Sequence, residues 1–183
     1  MSGAQPALRV EVLTAAWQLE VPTAALKLEV LTAAHAVTTC MTGNAPIDSY
    51  LHTMALAEQA QGLATVHVVL ESDQSIVGFF TLSPLSLRLK QLSVALPSLS
   101  GAVYPDIGGY LLGRMGVHAL RKDGGIAKAV VWRAKQIAQQ SGTGGVFLAV
   151  DPKDDDLVGY YAQFGFERLD STGVRRRMIL SLR

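Results

Sequence analysis

The pattern of apolar and polar positions is most informative between residues 111 and 140. Residues 111–120 form an apolar run that predicts a buried strand, and residues 121–125 form a polar turn that ends in two glycines. One apolar helical face then follows at Ile126, Ala127, Val130, Val131, Ala134, Ile137 and Ala138. A strand, a glycine turn and a helix together direct backbone N–H groups toward an anion. We therefore predict that this turn holds the phosphates of a cofactor.

The first half of the chain predicts one helix among several strands. Residues 26–31 alternate as a strand does, and Asn44 is placed to cap a helix that begins near Pro46. A hairpin turn at residues 71–74 separates predicted strands at 64–70 and 75–83. Residues 86–94 are a further candidate strand. Residues 95–109, rich in proline, glycine and serine, predict a loop.

The second half predicts a strand at residues 146–150, a helix capped within residues 154–156, and a final antiparallel pair at 166–169 and 175–182. The middle strands follow one another without helical crossovers, which excludes a doubly wound fold. We predict an α/β (α+β) domain in which helices flank a mixed, mostly antiparallel sheet.

The N-terminus contains a short internal repeat. Residues 11–16 return as residues 29–34, at an offset of 18 residues. Two copies are too few for a repeat architecture. We interpret them either as a strand or arm duplicated locally, or as an extension that packs on a partner subunit. The expected organisation is an N-terminal extension at 1–25 and a domain at 26–183.

Composition narrows the possible partners. The chain has 183 residues, 49% hydrophobic and 17% charged, with a net charge of +1. This charge gives no global argument for nucleic acid or for a membrane surface. A single cysteine, Cys40, excludes an intrachain disulfide and a cysteine-based zinc site, and the histidines are too scattered to suggest a metal. No apolar run reaches the roughly 18 residues of a membrane span, and we see no signal peptide, so we expect a cytoplasmic protein without a metal or a membrane.

Two segments carry a resemblance to a known family. Residues 113–117, followed by Lys122-Asp123-Gly124-Gly125-Ile126-Ala127, resemble a strand and its pyrophosphate loop in the GNAT superfamily of N-acetyltransferases. Residues 160–166, YYAQFGF, resemble the late tyrosine signature of the same superfamily. With residues 43–51 and 78–83, the pattern is similar to the acetyltransferase toxins of toxin–antitoxin pairs.

The resemblance implies a GNAT-like fold with a splayed strand pair at the site of acetyl-coenzyme A (acetyl-CoA). It implies that Tyr161 is the general acid for the leaving thiolate and that a neutral primary amine attacks directly. The amine would be a small molecule, a protein N-terminus or, as in the toxins, the aminoacyl group of charged tRNA. An antitoxin and a homodimer are further implied partners. The implied cofactor-binding residues are Met115, Gly116, Val117, Lys122, Asp123, Gly124, Gly125, Ile126, Ala127 and Lys128.

Other interpretations of these residues stay open. The glycine turn is also consistent with a plain turn, and Tyr161 with a core tyrosine. His118 stands where related toxins often carry an acidic residue. It is interpreted either as a catalytic base or as a structural residue. Asp123 and Gly124 depart from the toxins, which usually carry glycine and then a basic residue at these places. A carboxylate beside a pyrophosphate is unfavourable. A non-enzymatic fold relative that binds a partner is therefore a third possible function.

Overall fold

The computed structural model describes residues 26–92, 95–99, 101–169 and 176–183, apart from the side chain of Asp123 and the exposure of Gly124. The predicted extension at 1–25 and Arg175 therefore lie outside the described residues. Within them, no helix is both long and apolar enough to cross a bilayer.

A seven-stranded sheet in the order β1-β2-β3-β4-β5-β7-β6 forms the centre of the molecule. Every neighbouring pair is antiparallel except β4 and β5, which are parallel. This confirms the predicted mixed, mostly antiparallel sheet. The strands are β1 Lys27–Val30, β2 Thr65–Leu70, β3 Ile76–Arg88, β4 Asp106–Val117, β5 Phe147–Val150, β6 Glu167–Arg168 and β7 Met178–Ser181.

The helices lie against both faces of this sheet. The predicted first helix is present but is interrupted by a π-helical turn at Tyr50–Met54. Helix α4 connects the two parallel strands, as a parallel connection requires. The helices are α1 Ala45–Ser49, α2 Ala55–Ala60, α3 Leu89–Leu92, α4 Ile126–Gln140 and α5 Asp155–Ala162.

Two apolar clusters follow from the alternation of side chains along β3. Phe79 packs with Tyr50 and Leu51 of the first helical segment, whereas Phe80 packs with Val130 of α4. Adjacent strand residues point to opposite faces, so each phenylalanine serves one helical layer. The cluster on the α4 face also contains Tyr161.

The predicted loop at 95–109 and the separate strand at 86–94 are partly wrong. Strand β3 runs on to Arg88 before α3 begins, and β4 already starts at Asp106. The reason is close packing rather than turn formation at Gly109. A Cβ there would lie 2.6 Å from the Phe147 ring, so this glycine marks the approach of two strands.

Candidate active site

The parallel strands β4 and β5 separate shortly after they meet. They pair only at Tyr110 with Leu148 and at Leu111 with Ala149. Strand β4 continues to Val117 without β5 beside it. The edge of β4 at residues 112–117 therefore faces a gap in the sheet, as the predicted splayed strand pair requires.

A β-bulge begins two residues after the last pair of β4 with β5, at Gly113. Between Phe80, which faces Met115, and the next paired residue of β3, that strand contributes Thr81 alone whereas β4 contributes Gly113 and Arg114. Thr81 Oγ1 accepts a 2.9 Å hydrogen bond from the Arg114 amide. A Cβ on Gly113 would lie 2.6 Å from the same oxygen. Since a bulge bends the strand that carries the extra residue, it accounts for the divergence of β4 from β5.

The direction of the β4 backbone beyond the bulge follows from two hydrogen bonds. The amide N–H groups of Arg114 and His118 both donate to β3, each at 2.9 Å. Successive residues of a strand direct their N–H groups to opposite sides. Met115 and Val117 therefore direct their N–H and C=O groups away from β3, into the gap.

Gly116 allows a helix to approach β4 closely on the face opposite to α4. A Cβ at this position would lie 2.7 Å from the Phe79 ring and from Thr42 Cγ2, and 2.9 Å from Ile47 Cγ2 of α1. Asp48 of α1 fixes this contact because its carboxylate accepts from both the amide and the hydroxyl of Thr42, at 2.8 and 2.6 Å. Asn44 occupies the predicted cap position without a side-chain hydrogen bond.

The predicted phosphate turn is a 3₁₀ helix, Ala119–Gly124, followed by Gly125. Gly125 has φ of +72° and is the N-cap of α4, with no side-chain hydrogen bond. Such a left-handed conformation favours glycine. The first amide of the helix ladder is that of Ala129, which donates to the Gly125 carbonyl at 3.0 Å. The N–H groups of residues 126–128 precede that bond, in the first turn of the helix, where amides have no partner within the helix itself.

The charges around this turn are mostly positive. Arg121 is anchored by Glu71 through two hydrogen bonds of 2.7 and 3.0 Å. Lys122 and Lys128 are exposed, and neither has a carboxylate partner among the described side chains. The Asp123 side chain lies outside the described residues.

Tyr161 lies near the end of α5, the helix that follows β5. Its side chain is 7% exposed, in the core cluster that contains Val117 of β4 and Val150 of β5. Burial and the neighbouring Tyr160 raise the pKa of Tyr161 to about 12. The phenol therefore keeps its proton at neutral pH, which is the state that a general acid needs.

Tyr160 has a buried hydroxyl without a hydrogen-bond partner among the described residues. Its ring contacts Tyr161 edge-to-face at 5.4 Å and Phe164 at 5.2 Å. Burial raises the pKa of Tyr160 to about 12. It is the natural control for Tyr161, because it has the same chemistry on the same helix.

His118 and two arginines near the C-terminus have structural partners. His118 caps the 3₁₀ helix, because its Nδ1 accepts a 3.2 Å hydrogen bond from the Leu120 amide. Arg176 donates to Asp155 at 3.0 Å, and Arg177 binds Asp151 through two hydrogen bonds of 2.6 and 2.7 Å. These arginines hold the approach to β7 against α5 and the end of β5.

Arg114 lies at the bulge and is a further candidate for the site. The guanidinium of Arg114 lies 5.2 Å from the centroid of the Tyr50 ring, and the Tyr50 hydroxyl donates to Glu58 at 2.9 Å. Arg114 is exposed and forms no ion pair within the described part of the chain. A cation beside the bulge is suited to a polar or anionic acceptor.

A cavity of about 530 Å³ lies at the other end of β4. Its lining includes Asp106, Gly108 and Arg183. It is distant along the strand from the gap at Met115 and Val117, and it contains none of the predicted site residues.

Comparison with known proteins supplies the family. Residues 35–166 match the model of the acetyltransferase (GNAT) family. The chain belongs to this family of acyltransferases, which confirms the resemblance that its motifs indicated. No curated protein sequence matches the chain.

Solved structures show the same fold. AtaT complexed with acetyl-methionyl-tRNAfMet has a TM-score of 0.78 at 17% identity, over 85% of this chain and 94% of that one. A tyrosine-to-phenylalanine variant of KacT has a TM-score of 0.77 at 15% identity, over 86% and 95%. AtaTR bound with acetyl-CoA has a TM-score of 0.71 at 15% identity, over 87% and 94%. This likeness confirms the predicted GNAT-like fold.

Proposed function

We propose that the protein transfers the acetyl group of acetyl-CoA to a primary amine. The observation that carries the proposal is the gap between β4 and β5, which is lined by the outward backbone groups of Met115 and Val117. The gap lies in the same part of the fold as the open N-terminus of α4 and the buried phenol of Tyr161. These three features suit the amides, the pyrophosphate and the thioester sulfur of acetyl-CoA, respectively.

The backbone would supply most of the binding. The pantetheine arm of acetyl-CoA contains amides, so it can pair with Met115 and Val117 as an added strand does. The pyrophosphate would accept from the N–H groups of residues 126–128, where the positive end of α4 favours an anion. Lys122 and Lys128 would add charge, and Gly124 and Gly125 would allow close approach.

The chemistry needs no covalent enzyme intermediate. The lone pair of a neutral amine attacks the thioester carbonyl, which forms the C–N bond and a tetrahedral oxyanion. The Met115 N–H, the first outward amide beyond the bulge, would stabilise that oxyanion. The C–S bond then breaks, the thiolate takes the proton of Tyr161, and the proton lost by the attacking nitrogen restores the phenol through solvent.

Tyr161→Phe tests this assignment. We expect kcat to fall by about 10²–10⁴-fold, the usual contribution of a general acid, while the affinity for acetyl-CoA stays within a few-fold of the original. Because the pKa of Tyr161 is about 12, deprotonation of the acid should not limit the rate near neutral pH. Thiol release and isothermal titration with acetyl-CoA measure the two quantities.

Tyr160→Phe is the matched control. It removes a buried hydroxyl without a partner among the described residues, so it should leave kcat nearly unchanged and raise the melting temperature. Equal losses of kcat in both variants would contradict the assignment. If saturating acetyl-CoA produced no thermal shift in the original protein, the proposed function itself would fail.

For the acceptor, we propose the aminoacyl group of charged tRNA. The fold matches AtaT in a complex with acetyl-methionyl-tRNA, and the exposed Arg114 lies at the bulge. A small amine is favoured by a different observation. Arg88, Arg176 and Arg177 could otherwise line a basic groove, but all three are paired with carboxylates.

Parallel assays separate the two acceptors. Charged tRNA and an amino-acid amide would each be incubated with radiolabelled acetyl-CoA and the protein. Acetylation of the tRNA that is lost in Arg114→Gln and retained for the amide would support charged tRNA. Acetylation of the amide alone, with no effect of Arg114→Gln, would select the small amine. Growth arrest on expression that requires Tyr161 would further support a toxin, and an antitoxin as its partner.

A further inference from the structure

The repeating unit at the N-terminus is shorter than the offset of 18 residues indicates. Three tandem nine-residue segments occupy residues 8–16, 17–25 and 26–34, with the sequences LRVEVLTAA, WQLEVPTAA and LKLEVLTAA. Glutamate, valine, threonine and two alanines recur at the same places in all three. The last segment contains β1 and the start of the turn after it, so the structure shows what this sequence contacts beside β2.

The place beside β2 makes two demands on its occupant. It needs apolar side chains at Leu28, which packs on the α4-side core, and at Leu31, which is 1% exposed in the other core. It also needs an amide N–H at Leu31, which donates to the Val66 carbonyl at 2.8 Å. Gln59 of α2 completes the contact, because it donates to the Leu31 carbonyl at 2.7 Å.

The first segment meets these demands and the middle segment does not. Residues 8–16 place Val10 and Leu13 where Leu28 and Leu31 lie. The middle segment places Pro22 at the Leu31 position. Proline has no N–H to donate to β2, and it is excluded from paired positions of a strand.

One contact distinguishes the last segment from the first. The Thr32 amide donates to His35 Nδ1 at 2.9 Å, and His35 Nε2 lies 3.2 Å from the Glu29 carboxylate. The residue that follows the first segment at the corresponding place is Trp17, whose indole can donate but not accept. The last segment therefore has a contact that the first cannot make, although the two carry similar apolar residues.

We propose that residues 8–16 are a second copy of β1 that competes with residues 26–34 for the edge of β2 in the same chain. In the alternative register, residues 17–34 become a loop, whose closure grows only slowly more unfavourable with length. The contacts of His35 set the preference for the observed register. This proposal is independent of the catalytic assignment.

Three full-length variants test the competition. Leu31→Asp places a charge in a buried position, but the first segment can replace the damaged one and limit the loss of stability. Leu13→Asp alone should leave the melting temperature within about 2 °C of the original, because the last segment still holds the edge of β2. The double variant has no intact copy and should melt at least about 5 °C below Leu31→Asp alone. Equal melting temperatures for Leu31→Asp and the double variant would overturn the proposal.

Pro22→Leu provides a rescue in the same background. It gives the middle segment the leucine and the N–H that it lacks, so adding it to the double variant should recover most of the lost melting temperature. No recovery would contradict the competition of equivalent segments. Pro22→Ala is the control, because alanine restores the N–H but not the leucine side chain. If it recovers less of the melting temperature than Pro22→Leu, the recovery is not a general effect of removing proline.

Disulfide trapping reads the register directly. Val68 faces Glu29 in the observed pairing, so Glu11 would face Val68 in the alternative one. Cα atoms of opposite strand residues are about 4.5–5.5 Å apart, which suits a disulfide. In the Leu31→Asp chain, Glu11→Cys with Val68→Cys should form an intrachain disulfide that Leu13→Asp abolishes. A crosslink between chains, or none, would overturn the exchange within one chain.

Discussion

The two long helices that follow β4 and β5 begin in opposite ways. Helix α5 is capped by Asp154, whose carboxylate accepts a 2.9 Å hydrogen bond from the Leu157 amide, and two further aspartates lie in its first turn. Helix α4 has Gly125 at its N-cap, without a side-chain hydrogen bond there and without an acidic residue in its first turn. One helix end is capped by a side chain of its own chain, whereas the other has no side-chain cap for its first amides.

The charged side chains around the two helix ends also differ. At α5, Arg176 and Arg177 neutralise Asp155 and Asp151 within the chain. At α4, the exposed Lys122 lies in the preceding 3₁₀ helix. A positive helix end is therefore a candidate anion site only where the protein supplies no cap or acidic side chain of its own. The residue at the N-cap distinguishes these two kinds of helix end.

Gly125→Asp should have the largest effect, because it places at the N-cap of α4 the aspartate that caps α5. We expect the dissociation constant for acetyl-CoA to rise by on the order of 10–100-fold, because a carboxylate would stand where a pyrophosphate is expected. Isothermal titration measures it. Gly125→Asn is the control, because asparagine tolerates the left-handed conformation and adds no charge; comparable losses in both variants would point to strain rather than charge.

Asp154→Ala tests the other end of the comparison. Loss of the cap should destabilise the protein by about 1 kcal/mol, a fall in melting temperature of about 2–4 °C for a chain of this size. The affinity for acetyl-CoA should not change, because this helix end has a structural role. Asp154→Asn should retain most of the stability. A large loss of acetyl-CoA affinity in Asp154→Ala would contradict the division of roles.

Asp123→Asn should have the smallest effect of the three on the affinity for acetyl-CoA or on stability. Removing a negative charge next to the α4 end should lower the dissociation constant of acetyl-CoA by about 2- to 5-fold, with a larger effect at low salt than at high salt. Titrations at two ionic strengths would show it. An unchanged affinity at both would mean that the Asp123 carboxylate does not act on the site.

Sequence patterns predicted the parts of the site that depend on local structure. Apolar periodicity located α4, and the glycines before it located the turn whose Gly125 has positive φ. The family resemblance selected Tyr161 over the chemically identical Tyr160. Each of these signals lies within a few residues of the feature that it predicts.

The parts that depend on distant contacts could not be predicted in this way. The bulge at Gly113 and Arg114 requires Thr81, which lies more than thirty residues earlier in the chain. The cap formed by His118 was one of two open interpretations, since a histidine next to a strand end has no local signal for its role. The glycines at the start of β4 indicated a loop because Phe147, which packs on Gly109, is also remote in the sequence.

The incomplete pairing of β4 with β5 has a consequence for the lifetime of the protein in the cell. If the pantetheine arm fills that gap as an added strand, the sheet is complete only when the co-substrate is bound. A ligand that binds the folded state alone stabilises it according to its concentration relative to its dissociation constant. Starvation for acetyl-CoA would then leave more of the chain open to proteases, so the abundance of the protein would follow the metabolic state of its host.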